Sequence, residues 1–319
     1  MNRPIFLILF SFLWYAIGAQ SFMRPNEWKK YKREIFVSVG ASNLLGDLGG
    51  QEGKGKDYSP ADLNFSQSRT AFGAGARYKL KRSVNVAGKF SYLNVKGDDA
   101  KTDNAIRNNR NLNFKSNIFE VSLRAEVGYQ STKRGSSRYG VRKNYGRMKN
   151  LAHNLYGFAG AGGFYFNPKG LDPAGNWVAL RPLHTEGQGL AGGPKQYSNF
   201  NWNLMAGAYY KLTINKIWSV GIEFCYRKTF TDYIDDVGTR YYDQAALAAA
   251  YGAQSAQMAD PSKGLNDPTS PYQFATTPNA DGSGAQRGDT QRDAYMSLEI
   301  NVGYTFKKAR KSARLRSKF

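Results

Sequence analysis

Few side chains in this sequence are of the types that usually carry catalysis or bind metals. Its 319 residues include two histidines, His153 and His184, and one cysteine, Cys225. A single cysteine excludes an internal disulfide framework and a multi-cysteine metal site, and two histidines exclude a histidine-rich metal centre. Hydrolysis and acyl transfer need a nucleophile beside a base, usually histidine, but the strand pattern puts the two histidines at opposite ends of the fold. We therefore expect no enzymatic activity and no cofactor, with Cys225 as a packed residue rather than a reactive thiol.

One acidic segment is a weak candidate for a metal site. Asp232, Asp235 and Asp236 place three carboxylates within five residues, and calcium prefers oxygen ligands. The segment lacks the spacing of a recognised calcium-binding loop, so a capped, hydrogen-bonded turn is the favoured interpretation.

A second set of charged residues alternates with apolar residues along predicted strands, which places the set on one face. Its members are Glu120, Arg124, Glu126, Glu223, Arg227 and Glu299. Arg77 is predicted to share that face. Because opposite charges can satisfy each other in a confined space, we expect these residues to form ion pairs that fill the interior of the fold.

The elements that position these residues are strands, because apolar residues recur with a period of two. In the clearest run, Phe119–Tyr129, one face is wholly apolar or aromatic and the other carries Glu120, Ser122, Arg124 and Glu126. Similar runs predict eight strands, near residues 35–41, 72–80, 84–92, 119–129, 155–166, 200–214, 218–226 and 296–306. In the glycine-rich fifth run, the sequence does not show which side chains face inward and which face outward. A hydrophobic fraction of 41% argues against a helical membrane bundle.

Two architectures use eight such strands: a soluble barrel with its apolar face inside, and an outer-membrane barrel with that face outside. An eight-stranded lumen is only just wide enough for side chains, and the many aromatic residues would be hard to place in it. Tyr78, Tyr129, Trp218 and Tyr304 fall near one rim, as an aromatic girdle requires. The sequence therefore predicts an all-β fold, an eight-stranded antiparallel up-and-down transmembrane β-barrel with long extracellular loops, over residues 34–306.

The N-terminus has the features of a secretory signal peptide. A short cationic start precedes a largely apolar stretch of 13 residues, Ile5–Ile17, and the small residues Gly18 and Ala19 follow. We predict cleavage after Ala19, a signal peptide over 1–19 and a basic segment over 20–33. Export makes nucleic-acid binding irrelevant, so the formal net charge of +21 needs another explanation.

Connection lengths alternate between short and long, which is typical of outer-membrane barrels. The tight turns near 81–83 and 215–216 are assigned to the periplasm, with both chain ends. The long connections 44–68, 97–114, 167–197 and 231–292 are assigned to the cell exterior, with a short helix expected over Gln244–Met258. Because successive connections must alternate between the two sides of the membrane, the 20-residue connection 131–150 is assigned to the periplasm.

Most of the positive charge lies on that predicted periplasmic side. Residues 24–33, 131–150 and 307–319 carry net charges of +4, +7 and +7, together +18 of the formal +21. Fourteen basic residues in the last two segments are candidates for binding a partner: Lys133, Arg134, Arg138, Arg142, Lys143, Arg147, Lys149, Lys307, Lys308, Arg310, Lys311, Arg314, Arg316 and Lys318. The open alternatives are attraction to anionic lipid headgroups and docking of an acidic periplasmic partner or the cell wall.

Five stretches, in order along the chain, resemble the PorG family of outer-membrane barrels of Bacteroidota, which is associated with the type IX (Por) secretion system. They are Gly40–Gly50, Gly160–Lys169, Trp177–Leu183, Thr185–Gly189 and Arg227–Val237. The resemblance implies an eight-stranded barrel without enzymatic activity that contacts the periplasmic ring formed by PorK and PorN. It implies no small-molecule substrate. A passive structural barrel or small pore stays open as the alternative, and a receptor that uses the outer loops is a third.

Overall fold

The computed structural model describes residues 27–48, 68–101, 105–132, 151–214, 217–263, 286–288 and 291–307. The predicted signal peptide and its cleavage site after Ala19 lie outside these residues.

Eight long strands close into one antiparallel barrel, as the sequence predicts. The strands are β1 (Arg33–Leu45), β2 (Arg69–Lys79), β3 (Val84–Asp98), β4 (Asn113–Thr132), β5 (Leu151–Leu171), the short β6 (Trp177–Ala179), β7 (Phe200–Ile214), β8 (Trp218–Thr229) and β9 (Ala294–Phe306). Consecutive long strands pair around the sheet, and β9 pairs with β1 to close it. β6 pairs only with the end of β5, at Lys169–Leu171.

Burial alternates along most of each strand and gives the barrel two different faces. In β4, Val121 and Leu123 are 64% and 67% exposed, whereas Glu120 and Ser122 between them are 0% and 3% exposed. The exposed side chains across the middle of the wall are therefore mainly apolar, whereas the buried ones include many polar and charged residues. An apolar outer face of this kind is stable in lipid, because the closed sheet leaves no backbone group unpaired at an edge.

Aromatic residues lie at both ends of the apolar band. We call the end with the β2–β3 turn at 80–83 the turn end, and the opposite end, where β1 ends at Leu45, the loop end. The predicted girdle lies at the turn end, where the rings of Trp218 and Tyr304 are in contact at 5.0 Å between centroids. A row that the sequence analysis missed lies at the loop end, on neighbouring strands, and comprises Phe72, Tyr92, Phe119 and Tyr165.

Several strands extend farther at the loop end than predicted. The connection predicted over 97–114 begins and ends in strand, since β3 continues to Asp98, β4 starts at Asn113 and Gly97 pairs with Phe114. Likewise β5 continues to Leu171, inside the loop predicted over 167–197. The prediction was wrong because the apolar period of two stops where outward residues become polar, whereas backbone pairing does not depend on side-chain polarity.

The connections at the loop end fold into a compact layer, which we call the cap: the described loop residues that follow β1, β3, β5 and β8. Its described residues form three short α-helices, α1 (Ala105–Arg110), α2 (Gln244–Tyr251) and α3 (Ala253–Ala259), and two 3-10 helices, Asp99–Lys101 and Arg181–Leu183. Helices α2 and α3 replace the single helix predicted over Gln244–Met258, because Gly252 at φ 93° interrupts it. The apolar residues of the cap that join the buried core of the barrel include Leu48, Leu112, Leu180, Ile234, Val237 and Met258. Among the described residues, no helix is long and apolar enough to cross a membrane.

Candidate functional site

The lumen contains five acidic and five basic side chains, each at most 7% exposed. They are Glu34, Glu120, Glu126, Glu223, Glu299, Arg77, Lys89, Arg124, Lys211 and Arg227. All six residues that the sequence analysis assigned to lumen ion pairs belong to this set. Their formal charges cancel, so the interior of the barrel carries no net charge from these ten groups.

Two arginines link glutamates from different strands into one network. Arg124 on β4 directs two nitrogens at the carboxylate of Glu223 on β8, each 2.7 Å from an oxygen, and its Nε lies 3.2 Å from Glu126. Arg77 on β2 lies 2.6 Å from Glu126 and 2.7 Å from Glu34. Bidentate arginine–carboxylate pairs of this kind fix both partners in place.

Four members of the set were not among the six residues predicted to form ion pairs: Arg77, which was predicted only to share their face, and Glu34, Lys89 and Lys211. Lys89 Nζ lies 3.0 Å from Glu223 and 2.8 Å from Glu299, and Lys211 contacts Glu34. Lys89 and Lys211 lie on the polar face that the sequence pattern identifies, whereas Glu34 precedes the first apolar residue of its strand and was left out. Inspection of every polar position on the alternating face would have found the two lysines.

The remaining predicted pair lies nearer the cap. Arg227 Nε lies 2.8 Å from Glu120 Oε2. The same oxygen accepts hydrogen bonds from Asn203 at 2.8 Å and from the hydroxyl of Tyr295 at 2.7 Å. The carboxylate is therefore held by three strands besides its own.

Aromatic rings also fill the lumen, which the sequence analysis had considered difficult. The glycine-rich β5 directs four of them inward: Tyr156, Phe158, Phe164 and Phe166. Glycine makes the space, because a Cβ at Gly207 would lie 2.5 Å from the ring of Phe158. The charges and rings are packed together, with the Arg124 guanidinium 4.2 Å from the centre of the Phe158 ring. This facing resolves the ambiguity of the fifth strand.

The acidic segment of the cap does not gather its carboxylates at one point. Asp235 accepts hydrogen bonds from the backbone N–H groups of Val237 and Leu48. Asp236 accepts hydrogen bonds from Thr185 at 2.6 Å and from the Tyr197 hydroxyl at 2.5 Å. Within the described part of the chain, no group of three or more acidic, histidine or cysteine side chains is arranged to hold a metal ion.

Burial controls the ionisation of these cap carboxylates. Removal from water raises the pKa of Asp236 to about 6, although Arg287 and its two hydrogen-bond donors favour the ionised form. The pKa values of Asp235 and Asp293 are also raised, by burial first and then by neighbouring carboxylates.

One buried ion pair ties three segments of the cap together. Arg287 Nη1 lies 3.1 Å from Glu186 Oε1 and 2.6 Å from the backbone carbonyl of Asp236. Glu186 in turn accepts hydrogen bonds from the backbone N–H of Gly238 and from Thr239. The cap is thus held by polar contacts between loops as well as by its apolar residues.

The histidines and the cysteine lie far apart, as expected. His153 Nδ1 lies 2.7 Å from the hydroxyl of Tyr210 near the turn end, and the ring of His184 stacks on Tyr251 in the cap at 4.2 Å. Cys225 is fully buried in the lumen wall. These three groups therefore cannot act together on one substrate.

The partner-binding candidates fall mostly outside the described residues. Lys307 is exposed directly after β9, whereas Lys133–Lys149 and Lys308–Lys318 are not described. The strand ends from which these segments continue are described, and they lie at the turn end: Thr132 of β4, Leu151 of β5 and Phe306 of β9. Arg33, where the basic N-terminal segment meets β1, pairs with Phe306.

Residues 20–140 match the model of a family described as "Domain of unknown function (DUF6089)", which covers less than half of the chain. No curated protein sequence matches the chain. The chain is similar, at 10% identity over 86% of its length, to the attachment invasion locus protein Ail of Yersinia pestis, solved with the heparin analogue sucrose octasulfate; 99% of Ail is covered, with a TM-score of 0.35. It is also similar to the outer membrane protein OprG of Pseudomonas aeruginosa, at 10% identity over 87% of this chain and 98% of OprG, with a TM-score of 0.32. For Neisserial surface protein A, the identity is 8% over 86% of this chain and 97% of that protein, with a TM-score of 0.31. The assignment of this chain as a β-barrel follows from its own strand pairing and from the different polarity of its inner and outer faces.

Proposed function

We propose that this protein is a non-enzymatic outer-membrane barrel that serves as a component of the type IX secretion system. In this role its turn end faces the periplasm, and its basic segments dock a periplasmic protein ring of the PorK–PorN kind. The chain resembles the PorG family in five stretches, and this resemblance is the reason for naming that ring.

The observation that carries the proposal is the distribution of charge. Three segments with a combined net charge of +18 continue from strand ends at the same end of the barrel. A field of this size attracts acidic partners and speeds their association. Attraction to lipid headgroups contributes about 1 kcal/mol per basic residue close to the surface, but it does not require a basic connection as long as residues 131–150.

The packed lumen supports a structural role over transport. Ten buried charges and four inward aromatic rings of β5 occupy the interior, and the cap covers the loop end. The same observation favours a second candidate, a passive barrel that only braces the envelope. The two candidates differ in whether the basic segments bind a protein.

The test removes most of the basic charge at the turn end, the +7 of residues 131–150 and the +7 of residues 307–319, while leaving all the barrel strands unchanged. One variant deletes Lys307–Phe319 and replaces the seven basic residues of 133–149 with glutamine. A control variant, K101Q/K195Q/K263Q, removes three exposed charges from the cap. Both are expressed in the native host with an affinity tag and extracted from purified outer membranes.

We expect both variants to insert, and only the first to lose the co-purifying ring and to reduce secretion. If the first variant recovers the ring and secretes normally at physiological salt, the docking proposal is wrong and the passive role is favoured. Recovery of the tagged protein in the inner-membrane or soluble fraction would contradict the proposed location itself.

A further inference from the structure

Three lysines form a row across the outer wall of the barrel at the loop end. Lys96 on β3 pairs directly with Lys115 on β4, and Lys115 pairs directly with Lys169 on β5. All three occupy outward positions, because their strand neighbours Val95 and Ser116 are fully buried. We call these three residues the lysine row.

The lysine row lies at the height of lipid headgroups. On β4 the outward aromatic residues Phe119 and Tyr129 are ten residues apart, which corresponds to roughly 25 Å across the membrane for a strand tilted by about 40°. Lys115 lies four residues beyond Phe119, and hence about 10 Å above the apolar band. The intervening outward position is polar, since Asn117 accepts a hydrogen bond from Asn94 at 2.5 Å.

The row is electrostatically unfavourable without an anion. Like charges placed directly opposite each other on neighbouring strands destabilise a sheet, and this row contains two such pairs in succession. Among the described residues, Asp98 provides the only carboxylate near these ammonium groups, 3.8 Å from Lys96 Nζ, and both side chains are about one-fifth exposed. One carboxylate at that distance leaves most of the positive charge uncompensated.

An indole ring completes the surface. Trp177 on β6 lies beside the row, with Lys115 Nζ 4.0 Å and Lys96 Nζ 5.7 Å from the centre of its ring. Tryptophan favours the membrane interface because its ring is apolar and its N–H is polar. The lysines and the indole ring lie on the outer wall of the barrel, not on top of the cap. This arrangement fits a ligand that lies against the side of the barrel.

We propose that the lysine row and Trp177 bind the phosphate groups of an anionic lipid in the outer leaflet. This inference rests on the outer-membrane location in the proposed function, but not on the docking of a periplasmic ring. A lipid is favoured over a soluble anion because the site adjoins the apolar wall, where the acyl chains of the same molecule can pack. It would anchor β3, β4 and β5 to the leaflet and relieve the repulsion among the lysines.

The test measures lipid binding by the purified full-length barrel. Native mass spectrometry in zwitterionic detergent compares bisphosphorylated lipid A with the same lipid after enzymatic removal of its phosphates. The proteins are the wild type, K96Q/K115Q/K169Q, and the control K101Q/K195Q/K263Q, which loses the same charge from exposed positions in the cap. We expect one lipid A per wild-type and control barrel, and binding at least tenfold weaker for the lysine-row variant, since each lysine near anionic lipid contributes about fivefold.

A stability measurement separates binding from a folding defect. In detergent without anionic lipid, the lysine-row variant should melt at a higher temperature than the wild type, because repulsion is relieved. Added lipid A should raise the melting temperature of the wild type and leave that of the variant unchanged.

Three results would overturn the proposal. Equal binding of lipid A by the wild type and the lysine-row variant would remove the role of the lysines. Equal binding of the dephosphorylated lipid would remove the role of phosphate. Tighter lysine-dependent binding of inorganic phosphate or of a soluble sulfated polysaccharide would identify a site for soluble anions instead. Because no ring protein is present, failure here leaves the docking proposal standing, and loss of docking leaves this one standing.

Discussion

Ion pairs inside the barrel replace the water that charged groups would otherwise need. Glu120 illustrates this, since Arg227, Asn203 and Tyr295 together direct two neutral donors and one cation at a single carboxylate oxygen. Such a group is stable only as part of the set, because transfer of an isolated charge into a low-dielectric interior is strongly unfavourable. The stability of each charged side chain in the lumen therefore depends on its ion-pair and hydrogen-bond partners.

Removal of one member of the Arg227–Glu120 pair should destabilise the barrel more than removal of both. We expect R227M or E120Q alone to lower the free energy of unfolding by about 3–5 kcal/mol, because each leaves a buried group without its partner. The double variant R227M/E120Q should lose less than either single variant. Urea unfolding in phospholipid vesicles, followed by tryptophan fluorescence, measures this. Additive losses in the double variant would show that the two residues act independently.

The cap should become more stable as the pH falls below 6. The pKa of Asp236 is about 6 in the folded protein against 3.8 when unfolded, so the folded state binds the proton more tightly. Stability from this group is therefore present below pH 3.8 and is lost as the pH rises through 6, by up to about 3 kcal/mol. Asp235 and Asp293 act in the same direction.

Hydrogen exchange of residues 230–239 at pH 4.5 and pH 7.5, corrected for intrinsic rates, measures the opening of the cap. Protection should be greater at pH 4.5, and D236N should show a smaller difference between the two values. Greater protection at pH 7.5 in the wild type would contradict the assignment.

At the scale of elements, each strand works as a boundary between lipid and lumen. Neighbouring positions on β4 face opposite environments, so a substitution acts through whichever face receives it. The strand that departs from this simple scheme is β5, whose inward positions carry large aromatic rings in place of charges. Its partners accommodate those rings through glycine, as Gly207 does for Phe158.

Arginine on the lipid face of β4 should destabilise the barrel by an amount that depends on its depth in the membrane. L123R places a charge at the lipid face near mid-membrane and should lower the free energy of unfolding by about 2–4 kcal/mol. V127R, on the same face near the turn-end girdle, should cost about 0–1 kcal/mol. Unfolding in vesicles of fixed lipid composition measures both, and equal effects would mean that depth in the membrane does not matter.

S122R instead adds volume and charge to the filled lumen, where Ser122 is 3% exposed and donates a hydrogen bond to the Lys89 carbonyl. Overpacking of this kind costs about 1–3 kcal/mol, and the loss should persist in detergent as well as in lipid. A defect that disappears in detergent would place residue 122 on the lipid face.

At the scale of the whole molecule, the two ends of the barrel differ. One end is covered by a packed cap with buried ion pairs, and the other continues into strongly basic segments. The wall between them is apolar outside and neutral inside. A molecule of this construction has little internal space through which to move a solute.

The intact barrel should not conduct ions. Paired charges and aromatic rings occupy the lumen from Glu34 near the turn end to Tyr295 near the cap, so planar-bilayer recordings of the wild type should show no stable, large conductance. A water-filled barrel of known conductance, inserted under the same conditions, serves as the control. Large and stable steps from the wild type would contradict the filled lumen.

The period of two was sufficient to predict the fold class, the number of long strands, the identity of six lumen charges and the aromatic girdle at the turn end. These follow from sequence because alternation of side chains is a local property of an extended chain. The ends of β3, β4 and β5 and the facing of β5 did not follow, since outward asparagines and inward aromatic residues break the polarity pattern while the backbone ladder continues.

For every long strand except β5, the sequence by itself determined which residues are presented to either side, because side-chain alternation depends only on neighbours along the chain. Tertiary structure alone decided which of those residues meet. Glu34 joins Arg77 and Lys211 only because β1 closes the barrel between β2 and β9, and Lys96, Lys115 and Lys169 form a row only through the register of three strands. Contacts between residues tens or hundreds of positions apart depend on strand order and register, which no single segment of the chain contains.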